Sequence, residues 1–233
     1  MVDTFLFAVF PYVAIVLLVV ISIIRYRRHG FSFSSLSSQF LETRRLFWGS
    51  VPFHLGILGV LLGHLIGLLI PRQVQLWNAV PLRLYVLETT ALVFGLMALV
   101  GLVGLMVRRF REKRLLVVHT WADKLLYLIL ATSIVTGLWI AMGYRWGSAW
   151  YTQVGTPYLW SIFTLQPDIA AITPLPWVVK IHIISAWSLI AVFSFTRMVH
   201  VLVAPLPYLW RPHQLVIWNR DRKSLRKAPT GEA

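Results

Sequence analysis

The stretch Val51–Ile70, VPFHLGILGVLLGHLIGLLI, decides how the rest of this chain is read. It is long enough to cross the hydrocarbon core of a bilayer as a helix, which takes roughly 20 mostly apolar residues. Yet it carries His54 and His64. An imidazole in hydrocarbon is costly unless something bonds or binds it, so an intramembrane histidine is by default a candidate functional group. A second apolar segment, Trp177–Val203, repeats the pattern with His182 and His200.

Three more stretches qualify as spans: Phe5–Ile24, Leu84–Val107 and Lys124–Met142. Composition agrees, because only 13% of the residues are charged where a soluble domain carries about 25%. The mean hydropathy is +0.73. The expected fold is an all-α integral membrane protein: a five-helix transmembrane domain over residues 1–203, then a basic tail over 204–233. Met1–Phe10 has no positive region and runs straight into apolar sequence, so it reads as the start of the first span, not as a cleaved signal. The chain has no cysteine, which excludes disulfides, thiolate-held iron–sulfur clusters and covalently attached haem.

A net charge of +14 would suit a nucleic-acid binder, but the basic residues flank the spans, where they set orientation. Arg25, Arg27, Arg28, Arg44 and Arg45 lie between the first two spans. Arg108, Arg109, Arg111, Lys113 and Arg114 lie between the third and fourth, and Arg211, Arg220, Arg222, Lys223, Arg226 and Lys227 lie in the tail. The other side has Arg72, Arg83 and Arg145. Positive charge stays inside, which puts the N-terminus outside and the C-terminus in the cytoplasm. The loop Gly143–Pro176 is rich in tryptophan and tyrosine, as suits the outer interface. The inner stretch Gly30–Gln39 reads as a short surface helix or a loop.

Antiparallel second and fifth spans would pair His54 with His200 near the cytoplasm and His64 with His182 nearer the outside. Neutral imidazole is a common axial ligand of haem iron. Two histidines on each of two antiparallel helices therefore suit two haems stacked across a bilayer, the frame of an electron-carrying cytochrome b. Along straight helices His182 and His200 would be about 27 Å apart, but His54 and His64 only about 15 Å. Tilted helices or inclined porphyrins would be needed to reconcile the two. His29, His119 and His213 read as ordinary interfacial or solvated residues. Gly59, Gly63 and Gly67 form a stripe for helix packing or for a porphyrin plane. Arg197, one turn from His200, is a candidate partner for a haem propionate, with snorkelling to the inner interface as the alternative.

At these residues the chain resembles the gamma subunit of respiratory nitrate reductase. The segment Ser37–Gly67, SSQFLETRRLFWGSVPFHLGILGVLLGHLIG, carries most of the likeness, and its FHxGILG…GH core is the most specific part. TRMVHVLVAP at Thr196–Pro205 with Tyr208-Leu209, and Ala122-Asp123, add to it. The resemblance implies two b haems, His54 and His200 ligating the cytoplasm-proximal one and His64 and His182 the distal one. It also implies a subunit in the prokaryotic plasma (inner) membrane that oxidises quinol near the distal haem. Electrons would pass inward to an iron–sulfur beta subunit and a molybdenum-containing alpha subunit that reduces nitrate.

One departure bears on the quinol site. Where the family has a lysine before the third span, this chain has Tyr85, with Arg83 and Glu88 as nearby polar candidates. Glu88 is the one acidic side chain well inside an apolar span, which suits acceptance of a quinol proton. The rival is a carboxylate facing water at the outer interface. Two other readings of the whole chain are open. One is a cytochrome b subunit of another quinone-linked oxidoreductase, such as a formate dehydrogenase, a hydrogenase or a sulfur-pathway reductase. The other is a haem-free transporter or anchor, against which the lack of inverted repeats and broken helices counts.

Overall fold

The computed structural model describes residues 1–28, 44–112, 115, 120–144 and 147–203. Gly30–Gln39, His29, Lys113, Arg114, His119, Arg145, His213 and the basic tail 204–233 lie outside the described residues. Those described form helices and connecting turns, with no strand among them.

Five helices are long and apolar enough to cross a membrane: α1, Val2–Arg28; α2, Leu46–Leu69 within the helix Arg44–Leu69; α4, Pro81–Arg111; α5, Trp121–Gly143; and α7, Trp177–Phe195. Two shorter ones lie between them: α3, Pro71–Asn78, and α6, residues 147–163. The expected spans are all present. The fifth is shorter than Trp177–Val203, because the α-helix of α7 stops at Val192 and gives way to 3-10 turns at Phe193–Phe195 and Arg197–Val203. Between those turns Thr196 is extended, with φ −112° and ψ −176°. His182 and His200 are therefore not on one straight helix, which removes the premise of the expected separation of about 27 Å.

Prolines explain two irregular turns. A proline has no amide hydrogen, and its ring crowds the carbonyl four residues before it. Pro11 and Pro157 are each preceded by a π-helical turn, Phe5–Val9 and Tyr151–Gly155. The Phe7 carbonyl, which Pro11 cannot satisfy, accepts instead from the Tyr158 hydroxyl at 2.8 Å. Tyr12 donates to the Ile162 carbonyl at 3.1 Å, a second tie between α1 and α6. Phe7, Ala14, Tyr158, Ile162, Trp187 and Ala191 pack there as one cluster joining α1, α6 and α7.

The most extensive helix contact is between α2 and α4. It is close because glycine lets backbones approach. A Cβ on Gly56 would lie 2.3 Å from the Ala98 amide nitrogen, and one on Gly101 2.3 Å from that of Phe53. These contacts set the two helices antiparallel, so Arg108, Arg109 and Arg111 at the end of α4 lie beside the start of α2. Helix α5 also packs on α7, α7 on α1 and α4 on α5. Helices α2 and α7 flank the interval in which the histidines meet and are not among the pairs in extended contact.

Replacing Gly101 or Gly56 by leucine should drive α2 and α4 apart. Overpacking typically costs about 1–3 kcal/mol, and here backbone would have to move. Thermal unfolding of the detergent-purified chain should show lower melting temperatures for both variants. Val100→Leu, at a side chain 65% exposed, should leave it unchanged.

Candidate haem-binding site

The four intramembrane histidines meet as two pairs. The ring centroids of His54 and His200 are 6.3 Å apart, and those of His64 and His182 6.4 Å. Two imidazoles that bind one metal from opposite sides, each through a bond of about 2 Å as on zinc, have ring centres roughly 6 Å apart. The partners are those expected from antiparallel spans. Both pairs form despite their unequal sequence spacing, with the break in α7 lying between His182 and His200.

Every one of these rings has its Nδ1 engaged. His54 Nδ1 lies 2.8 Å from the Ser50 carbonyl oxygen, and His64 Nδ1 2.9 Å from that of Val60. Both are the carbonyl one turn back, which a helical side chain reaches readily. His182 Nδ1 lies 3.0 Å from the Ser133 carbonyl on α5, and His200 Nδ1 bonds the Arg197 carbonyl. A carbonyl only accepts, so each Nδ1 carries a proton, and in the neutral ring Nε2 keeps its lone pair. That is the tautomer of a metal-bound imidazole whose other nitrogen is held by an outer partner. Among the described residues no cluster of three or more histidine, cysteine or acidic side chains forms a metal site. The histidine pairs suit an iron whose remaining ligands come from a macrocycle.

Helix α5 seats both partners of the α2 histidines. Thr136 Oγ1 lies 3.2 Å from His182 Nδ1, and a Cβ on Gly137 would come within 3.0 Å of His182 Cε1. At the other pair, Asp123 of α5 binds Arg197 through Nε at 2.7 Å and Nη2 at 3.1 Å. Arg197, a candidate propionate partner or snorkelling residue, thus forms an ion pair with the buried Asp123. Arg109 adds a longer contact to Asp123, 3.7 Å through Nη2. Its Nη1 is buried with no partner among the described residues. A guanidinium N–H left over in this cluster is what a carboxylate such as a propionate would satisfy.

His64 has a further neighbour that sequence reading missed. The Tyr151 ring lies 5.0 Å from its imidazole, edge to face, and the phenol donates to the His64 carbonyl at 3.0 Å. The ring fits between Gly67 and Gly155, where added Cβ atoms would come within 2.8 and 2.9 Å of it. The glycine stripe of α2 therefore divides: Gly59 packs on Phe94, Gly67 on Tyr151, and a Cβ at Gly63 would meet nothing within 4 Å. Tyr151 sits in the π-helical turn before Pro157, so the proline was its only local signal. Asp123 announced itself better, through a Thr120–Asp123 capping box at the start of α5.

The candidate quinol residues lie toward the other end of α4. Arg83 stacks over Trp77 at 5.2 Å, and Tyr85 is 57% exposed. Glu88 Oε1 accepts from both the backbone nitrogen and the hydroxyl of Ser148 on α6. Asn78 of α3 donates to that same hydroxyl at 3.0 Å, and its own Oδ1 is buried with no partner among the described residues.

Comparison with known proteins agrees with this architecture. The profile of the nitrate reductase gamma subunit family matches residues 3–219. The nitrate reductase gamma chain of Bacillus subtilis is 31% identical over 89% of this chain and 95% of its own length. Respiratory nitrate reductase 2 gamma chain of Escherichia coli is 30% identical over 92% and 96%. Nitrate reductase-like protein NarX of Mycobacterium tuberculosis is 36% identical over 93% of this chain, which spans only 34% of that longer protein. Matched across nearly its whole length, with five helices fit to cross a membrane, the chain belongs to the nitrate reductase gamma subunit family.

Proposed function

We propose that this chain is the diheme cytochrome b subunit of a membrane nitrate reductase, taking electrons from quinol and delivering them to partner subunits in the cytoplasm. The observation that carries the reading is the pair of facing imidazole couples, each ring with its Nδ1 bound to a backbone carbonyl. His54 and His200 would hold the proximal haem, and His64 and His182 the distal one. Bound in this way, haem supplies reversible one-electron carriage within the membrane. The four histidines hold and orient it, and the apolar helices exclude water around it. Arg109, with its leftover N–H, would take a propionate.

The arginine-rich ends of α1 and α4 support placing the proximal pair at the cytoplasmic side of a prokaryotic plasma membrane. The proposed partners there are an iron–sulfur beta subunit and a molybdenum-containing alpha subunit that reduces nitrate. Quinol would be oxidised at the opposite end and release its protons outside. There Glu88, steadied through Oε1 by Ser148, has Oε2 for proton acceptance beside Gly147. Arg83 and Tyr85 are its proposed companions. Tyr85 can donate a hydrogen bond without bringing the positive charge of a lysine.

Two measurements test this. A dithionite-reduced minus oxidised spectrum with pyridine haemochrome quantification should give two b haems per chain; none in assembled protein would sink the proposal. His54 and His200 variants should lose the same spectral component, and His64→Tyr and His182→Ala the other. Gly137→Leu, which pushes on His182, should weaken the component that His64→Tyr removes. Loss of a different component would refute the pairing.

A further inference from the structure

The cluster around Asp123 does more than link helices. Its carboxylate is 3% exposed and sits between two arginines from different elements. It accepts from Arg197 through both oxygens, 2.7 Å from Nε and 3.1 Å from Nη2, and its Oδ2 lies 3.7 Å from Arg109. Its own position is set by a reciprocal pair of bonds. The Asp123 amide donates to Thr120 Oγ1 at 3.2 Å, and the Thr120 amide donates to Asp123 Oδ2 at 3.1 Å. Such a capping box locks the side chain to the first turn of α5.

Arg197 belongs to the 3-10 turn that follows the break in α7, and its carbonyl receives the Nδ1 proton of His200. The turn is tied on its other flank by Arg25 of α1, whose Nη1 donates to the carbonyls of Ser194 and Thr196 at 2.7 and 3.1 Å. Short 3-10 turns have poor internal hydrogen bonding, so these external ties decide where His200 points. The path from charge to ligand is therefore short: Asp123 carboxylate, Arg197 guanidinium, Arg197 carbonyl, His200 imidazole.

We infer that Asp123 is a positioning residue for His200, and that its buried charge, set against Arg109 and Arg197, tunes the reduction potential of the haem at the His54/His200 pair. The inference rests on the diheme reading above. Its electrostatic sign follows directly. The three side chains together carry one net positive charge. Removing the carboxylate would add positive charge beside the turn that carries His200, disfavour the oxidised form of a haem held there and raise its potential. Removing the Arg197 charge does the reverse. Interactions of this kind persist in a buried, weakly screened environment.

The experiment is a spectroscopic redox titration of the full chain in detergent, for the wild type, Asp123→Asn and Arg197→Gln. The His54/His200 component is assigned as the one that remains in His64→Tyr. The expected result is an upward shift of that component in Asp123→Asn and a downward shift in Arg197→Gln, with the other haem unmoved. A purely mechanical role would not give opposite signs. Unmoved potentials in both variants, shifts of the same sign, or a shift confined to the other haem would overturn the inference and leave the diheme reading standing. A wild type without two b haems would overturn both. Should Asp123→Asn lose the haem altogether, the Asp123→Asn/Arg197→Gln double variant decides: recovery supports the charge balance, and continued loss overturns it.

Discussion

A neutral imidazole inside an apolar span has two nitrogens to satisfy, and much of this fold follows from how four of them are served. Each ring gives its Nδ1 proton to a backbone carbonyl and keeps Nε2 for something else. On α2 the carbonyl comes from the same helix, one turn back. On the facing side it comes from α5 for His182 and from the turn after the helix break for His200. The two sides of the site are thus built differently. One is a preformed face of a single helix, and the other is assembled from α5, α7 and the segment that leaves α7.

That difference explains why α5 is central. It seats His182 through Ser133, Thr136 and Gly137, and steers His200 through Asp123 and Arg197. Helix α2 needs no such help with its histidines, but its own position does. Close glycine contacts hold it against α4, and Tyr151 pins its far end from α6. Burying an ion pair is costly unless its geometry is good and its hydrogen bonds are complete. The Asp123–Arg197 contact is bidentate and the Thr120 amide adds a further bond to the carboxylate, which makes its burial tolerable.

Prolines shape the periphery by the same logic of unmet backbone groups. Pro11 strands the Phe7 carbonyl, and the Tyr158 hydroxyl supplies the missing hydrogen, tying α1 to α6. Pro157 accompanies the π-helical turn that carries Tyr151 to His64. In an apolar medium a freed carbonyl must find a partner within the protein, so each irregularity becomes a link between helices.

Much of this was legible in the residues alone. Five apolar stretches announce five helices because backbone groups in lipid must be satisfied within the segment. Two histidines on each of two antiparallel spans announce which would pair, though not how their unequal spacing is reconciled, and the basic runs between spans announce which helix ends are alike in charge. Sequence spacing was misleading where it assumed a straight helix from His182 to His200, because no residue pattern marks the extended Thr196 that breaks it. It offered Arg197 as a propionate partner or a snorkelling residue and gave no sign of Asp123, 74 positions away, as its ion-pair partner. It passed over Tyr151 and Gly137, whose roles come from lying next to His64 and His182 in space. Hydrophobicity and charge along the chain determine which segments span a membrane and which groups within them are costly to bury. Which carbonyl, carboxylate or ring meets each of those groups is decided only when the helices pack, because those partners come from other helices and distant parts of the chain.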